Sequence, residues 1–259
     1  MQLKDQNWKN FTANHLRDWH GVWTRYTPQG EVKESFRSLR RFESNPEQTE
    51  IHQTNRYIYA QDNIKEESWD YNQSENSSAD GIFHPQADSM RTICLESGHS
   101  GWIAKQLKTD SYFAVELFFR YKELRHSVGI VYDKEGALLR TSNIREDATG
   151  FPSKYWSEEL EQLSERNLNG EWKGYSVTMT SDLQVSQPIQ TELNWGCEGH
   201  QNFFLPDGVS ISCPKRIGIG TSFNLVVNWL ITTSKMQQLS AQYDKDGAFS
   251  GLRLEQLHL

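Results

Sequence analysis

Tyr132-Asp-Lys-Glu-Gly-Ala137 and Tyr243-Asp-Lys-Asp-Gly-Ala248 are nearly the same hexapeptide, 111 residues apart. Each reads as a hairpin turn, because its Gly supplies the positive φ that tight hairpins need. An Asp-Lys-Asp-Gly run also occurs in calcium loops. Here the later acidic ligand positions are missing and strands flank the turn, so a hairpin is the better reading. Upstream, Phe83-His-Pro85 corresponds to Phe204-Leu-Pro206, and Gly21-Val-Trp23 to Gly170-Glu-Trp172. The order of the three matches is the same in both halves. Such order predicts a duplication, residues 1–150 and 151–259, with extra polar chain around Gln73–Asp80 in the first copy.

A short helix is expected before each copy. In the first, Trp8, Phe11 and His15 recur at helical spacing. In the second, Ser153 is an N-cap candidate, and Trp156, Leu160 and Leu163 make the stripe. Gly150-Phe-Pro152 punctuates the boundary between them. Beyond each helix the chain reads as short strands joined by turns such as Thr27-Pro-Gln-Gly30, which predicts an all-β barrel or sandwich.

Composition agrees. Hydrophobic residues are 36% and aromatic residues 12%, with nine tryptophans. That is too polar for a parallel sheet buried on both faces and suits thin antiparallel sheets. A net charge of −7 leaves no basic excess to neutralise phosphates, so no nucleic-acid partner is expected. No apolar run of about 18 residues exists to span a membrane. The start, MQLKDQNWKNF, lacks the apolar core of a signal peptide. Three cysteines make no disulfide framework. A soluble, cytoplasmic protein is expected.

A helix, then Gly-x-Trp entering the first strand, then an antiparallel meander resembles the calycin superfamily of lipocalins and fatty-acid-binding proteins. The doubled pattern with its Phe-x-Pro marker resembles a two-barrel calycin-like family of unknown function associated with photosynthetic organisms. The resemblance implies tandem calycin-like barrels in which Trp23 and Trp172 plug the closed ends. It brings no established catalytic motif. Single-barrel bilin lyases, which attach chromophores to light-harvesting proteins, share the architecture but not the duplication.

Chemistry motifs mostly fail. Gly98-His-Ser-Gly101 misses the Gly-x-Ser-x-Gly spacing of a nucleophile elbow. No phosphate-binding, dinucleotide or His-Glu-x-x-His pattern is present. Cys197-Glu-Gly-His200 and Cys213 fall short of a structural zinc site. Glu66–Glu67 and Glu158–Glu159 are sequence neighbours whose side chains diverge. Neither a metal nor another cofactor is expected, and the reading leans away from an enzyme.

Strand parity carries the remaining signal, since alternate side chains share a face. If Trp23 points inward, so does Arg25. Val32, Phe36 and Phe42 share a face with Glu34 and Arg40, and Ile51, Tyr57 and Tyr59 with Gln53 and Asn55. In the second half Phe223, Leu225, Val227, Trp229 and Ile231 form one apolar face. Carried back 111 residues they become Tyr112, Ala114, Glu116, Phe118 and Arg120. A slip of one residue would swap the faces. Buried guanidinium groups need partners, so Arg25, Arg40, Glu116 and Arg120 are expected to orient the polar end of a guest. Trp23, Phe36, Tyr57 and Phe118 would line the walls. The expected partner is a small hydrophobic or amphipathic molecule, lipid- or pigment-like. A chromophore-attaching chaperone or lyase on the same cavity, and an interaction scaffold with filled barrels, are the alternatives.

Overall fold

Residues Phe113–Tyr121 carry apolar side chains on both faces of one strand, so both faces need cover. A computed structural model, describing residues 1–168 and 170–259, provides it with two antiparallel sheets packed on each other. The first contains β1 (Trp19–Tyr26), β2 (Val32–Ser44), β3 (Glu50–Ile58), β4 (Ile64–Asn72), β5 (Ser77–Ser78), β6 (Gly81–His84), β7 (Ala87–Cys94), β8 (Ser100–Ala104), β9 (Phe113–Tyr121), β10 (Leu124–Tyr132) and β11 (Leu138–Asp147). The second contains β12 (Lys173–Thr180), β13 (Ile189–Glu192), β14 (His200–Leu205), β15 (Val209–Pro214), β16 (Phe223–Thr232), β17 (Lys235–Tyr243) and β18 (Phe249–His258). The fold is all-β. No helix among the described residues is long and apolar enough to cross a membrane.

The first sheet runs β4-β3-β2-β1-β11-β10-β9-β8-β7-β6-β5 and curls into a nearly closed barrel. Its edges are joined by the short helix α2 (Gln73–Asn76) and by side chains, with the rings of Trp69 and His84 4.8 Å apart. The leading helix is numbered first in the chain, α1 (Leu3–His15), and forms where the Trp8, Phe11, His15 spacing places it. Trp8 and Phe11 join Trp19, Phe42, Ile51, Tyr71 and Ile82 in one buried cluster. The amides of Asn7 and Asn10 pin α1 to β7, bonding the backbone of Thr92 and Cys94 at 2.7–3.1 Å.

The second leading helix does not form. Ser153 Oγ does accept from the amides of Tyr155 and Trp156, but residues 157–168 then run without regular structure. Long-range contacts outweigh the local preference. Trp156 packs against His126 and Trp229, Leu163 N donates to Phe204 O, and Arg166 donates to the carbonyls of Leu205 and Val209. A helix would draw these residues too close together to reach all those partners.

The ladders set which residues of the two sheets correspond. Tyr132 pairs with Phe113 and Tyr243 with Phe223, so β9 and β16 match at an offset of 110, not 111. The extra residue is absorbed at a bulge between Leu230 and Thr232. Phe223, Leu225, Val227 and Trp229 therefore correspond to Phe113, Val115, Leu117 and Phe119, not to the face that holds Glu116. The Phe-x-Pro match is also displaced: Phe204 pairs with Ser210 as Cys94 pairs with Ser100, so Phe204 matches Cys94 and not Phe83. Lys173 opposes His258 as His20 opposes Asp147, which matches Trp172 to Trp19, not Trp23. Both indoles donate to the carbonyl four residues earlier, His15 O and Leu168 O, at 3.1 Å.

The apolar faces of β9 and β16 meet in the main core. Phe113 packs on Phe223 at 5.8 Å and Phe119 on Trp229 at 6.1 Å. The repeated hairpin turns close the contact reciprocally. Leu107 N donates to Gly247 O and Ile217 N to Gly136 O, both at 2.8 Å. Phe249 N reaches Lys105 O and Leu138 N reaches Lys215 O, both at 2.9 Å. Tyr132 and Tyr243 each donate a hydroxyl to a carbonyl of the opposite sheet, Pro214 O and Ala104 O.

Candidate functional site

The face of β9 turned away from that core looks into the barrel. There Glu116, Phe118 and their ladder neighbours border a cavity of about 280 Å³. Trp23, Tyr57, Trp69, Trp102 and Phe118 supply aromatic wall, and α1 adds Phe11 and His15. The turn between β6 and β7 brings His84, Gln86 and Ala87, and Gln86 is exposed to solvent. The His84 ring lies between the indoles of Trp69 and Trp102, with centroids at 4.8 and 5.0 Å. Burial holds its pKa down to about 4, so it is uncharged at neutral pH.

The deep side is a network of paired charges. Glu116 Oε1 accepts from Arg40 Nη2 at 3.2 Å and from Ser127 Oγ at 2.7 Å. Glu146 accepts from Arg125 Nε at 2.6 Å and lies 3.3 Å from Arg40 Nε. Burial alone would raise the Glu146 pKa; Arg125 and Arg40 outweigh it and hold it below the usual carboxylate range. Burial likewise opposes the charge on Arg40, but Glu146 and Glu116 overcome this and raise its pKa. The Arg125 guanidinium also sits 4.5 Å from the Trp19 ring centroid.

His15 joins this network as a neutral imidazole. Arg125 Nη1 is 3.1 Å from His15 Nδ1, and a guanidinium only donates, so Nδ1 accepts and the proton is on Nε2. Burial, then Arg125, hold its pKa well below the ordinary value. Nε2 faces Ser100 Oγ at 3.3 Å. This is the reverse of a catalytic serine pair, where Nε2 must be free to take the hydroxyl proton. With its proton on Nε2, His15 does not take one from Ser100 in this arrangement.

Of the eight residues singled out by parity, Trp23, Arg40, Tyr57, Glu116 and Phe118 line this cavity. Three stand elsewhere. Phe36 is buried behind Trp23, stacked at 5.6 Å. Arg25 pairs with Glu34 at 2.7 Å on the partly exposed side of both rings. Arg120 lies over Trp19 and donates to Leu124 O at 2.8 Å. Nor does Trp23 serve as a plug. It lines the cavity and donates to Ser38 Oγ at 2.8 Å, while Trp19 is the fully buried indole. His15, Trp69, Trp102 and Arg125 were not singled out. Trp102 stands opposite Glu116 in the ladder, a signal that needs the β8–β9 register.

Residues 4–151 match the family model described as "Domain of unknown function (DUF3598), N-terminal". The chain belongs to the DUF3598 family. A DUF3598 protein of unknown function from Nostoc punctiforme has the same fold over nearly the whole length. It is 19% identical, with TM-score 0.75, covering 97% of this chain and 98% of that one. Within this DUF3598 chain, residues 197–256 also match the model "Biogenesis factor required for ATP synthase 1, C-terminal domain". An S-type phycobiliprotein lyase, CPES, from Guillardia theta is 12% identical. It covers 56% of this chain and 94% of its own with TM-score 0.37, too low to establish a shared fold. No curated protein matches the chain.

Proposed function

We propose that this protein binds a small amphipathic or hydrophobic molecule, lipid- or pigment-like, in the barrel of its first sheet. One observation carries the reading: an aromatic-walled cavity whose buried arginines and carboxylates are already paired with one another. Such walls with a few fixed polar groups are the usual makeup of a ligand pocket, and about 280 Å³ lies near the lower end of the common range. The residues that hold the guest are Trp23, Arg40, Tyr57, Glu116 and Phe118, with Trp69, Trp102 and Arg125. Arg25, Phe36 and Arg120 lie outside the cavity. A lyase-like enzyme is less favoured, because His15 presents a proton to Ser100 instead of accepting one. The protein is read as soluble and cytoplasmic, without a nucleic-acid partner.

The test is native mass spectrometry of the full chain, followed by solvent extraction. A released small molecule should appear with the native protein and disappear in Ala87→Trp, which blocks the cavity at its rim. No adduct, with no uptake of any member of a lipid and pigment panel, would remove the reading.

The two sheets are read as diverged calycin-like copies, divided near residue 150. Their matched ladders, paired Trp–carbonyl bonds and reciprocal turns support this. The second copy is read as a scaffold. Its likeness to a domain of an ATP synthase biogenesis factor favours a role in holding a protein partner.

A further inference from the structure

Resting on the cavity-binding reading, we infer that the guest is a flat, conjugated and uncharged molecule carrying a carbonyl-type oxygen. Shape comes first. Half of the lining side chains are rings, and Trp69, His84 and Trp102 already show ring-on-ring contact at the rim. A planar π-system exploits such walls better than a flexible chain does.

Charge comes next. Arg40 and Arg125 are answered by Glu116 and Glu146, and Glu67 adds a further carboxylate to the lining. His15 and His84 are neutral at pH 7. An anionic guest would therefore meet no uncompensated positive charge, and its desolvation would go unanswered.

Hydrogen bonding decides the functional group. Among the described residues, every buried polar atom on a lining side chain that lacks a hydrogen-bond partner is a donor. These are Arg40 Nε, Trp69 Nε1, Trp102 Nε1 and Arg125 Nη2. Arg40 Nε faces a carboxylate at 3.3 Å and the Trp69 indole has the Tyr71 hydroxyl beside it, which leaves Trp102 Nε1 and Arg125 Nη2 as the donors most in need of an acceptor. Unpaired buried donors are costly, and a guest that accepts hydrogen bonds relieves the cost. An amine or ammonium guest would add donors where donors are already in excess.

Three naphthalenes of similar size test this on the full chain, by equilibrium dialysis. 2-Acetylnaphthalene has the ring and the acceptor, 2-ethylnaphthalene the ring alone, and 2-naphthoate the ring and a negative charge. The acetyl compound should bind roughly three- to tenfold tighter than the ethyl compound, the worth of one net hydrogen bond. Naphthoate should bind weakest. In Trp69→Phe/Trp102→Phe, which keeps the rings and removes the two indole donors while leaving the arginines, the acetyl preference should fall. Ethylnaphthalene affinity in that variant reports whether the cavity is intact. Equal binding of acetyl and ethyl compounds, or tightest binding of naphthoate, would overturn the inference and leave the cavity reading standing. Binding of none of the three would overturn both.

Discussion

Three matched positions separate the two sheets. In the first, Trp19 stands with Arg125 and Glu146. In the second, Trp172 stands with Met236 and Leu257. The indole and its bond to the carbonyl four residues back are common to both. What differs is that one sheet spends these sites on a buried ion pair and the other on apolar packing. Of the buried histidines, His15 and His99 match the apolar Leu168 and Val209, whereas His126 matches Gln237, itself buried and polar. Apolar packing is the cheaper way to fill such a space. At these positions the first sheet is the more polar of the two, while the second buries its own polar group of Gln238, Glu255 and Asn228 elsewhere.

The comparison breaks most easily at Glu146. Glu146→Leu alone strands Arg125 and should cost about 3–5 kcal/mol, a loss of roughly 10 °C in Tm. Arg125→Met with Glu146→Leu copies the second sheet and should change stability by less than about 1 kcal/mol. Calorimetry on both distinguishes them. A double variant as weak as the single would mean that the two sheets do not share this packing.

Acid should act on one sheet first. Burial lowers the pKa values of His99 and His126 to about 4 from 6.5, so the folded state keeps them neutral while the unfolded chain takes up protons. That stability is fully present above pH 6.5 and is lost as pH falls towards 4. Tm should drop by more than about 5 °C across that window. Hydrogen exchange should open β10 and β11 before β17 and β18. Simultaneous opening would contradict the asymmetry.

The hairpin glycines give a smaller contrast. Both have positive φ, +77° at Gly136 and +74° at Gly247. A Cβ at Gly136 would lie 2.2 Å from the backbone oxygen of Ile217, whereas at Gly247 its nearest neighbours are side-chain carbons at 2.8 and 2.9 Å. Gly136→Ala should cost about 2–4 kcal/mol and Gly247→Ala about 1–2 kcal/mol in chemical denaturation, the backbone conformation being adverse in both. Equal losses would place the cost in backbone strain alone. Least of all, Arg25→Gln should shift stability by under about 1 kcal/mol and leave guest binding unchanged, since its pair with Glu34 is partly solvated.

What was legible in the sequence was what local chemistry decides. The Asp-Lys-x-Gly turns form because Asp133 and Asp244 accept two backbone amides each and the glycines take positive φ. Strand parity identified the inward face, and five cavity residues followed from it. Parity gives a face but not a depth along it, which is why Arg25 and Arg120 share the right face and miss the cavity. Two kinds of information were out of reach. One was the bulge after Leu230, which moves the match between β9 and β16 by one residue. The other was tertiary reach: the 153–163 segment has a helix's signals, yet Trp156 and Leu163 serve distant partners. His15, Trp69 and Arg125 meet only once the barrel has curled.

β9 serves two surfaces at alternate residues, the inter-sheet core through Phe113, Val115, Leu117 and Phe119, and the cavity through Glu116 and Phe118. Point changes can therefore drift independently on each. A single inserted or deleted codon cannot, because it would turn Glu116 into the core and a core side chain into the cavity in one event. β16 shows where such a length change is survivable. Its extra residue sits past Trp229, at the hairpin end, where the interface residues keep their phase. Length variation among relatives of this chain should accordingly gather at strand ends and leave the middle of β9 at constant length.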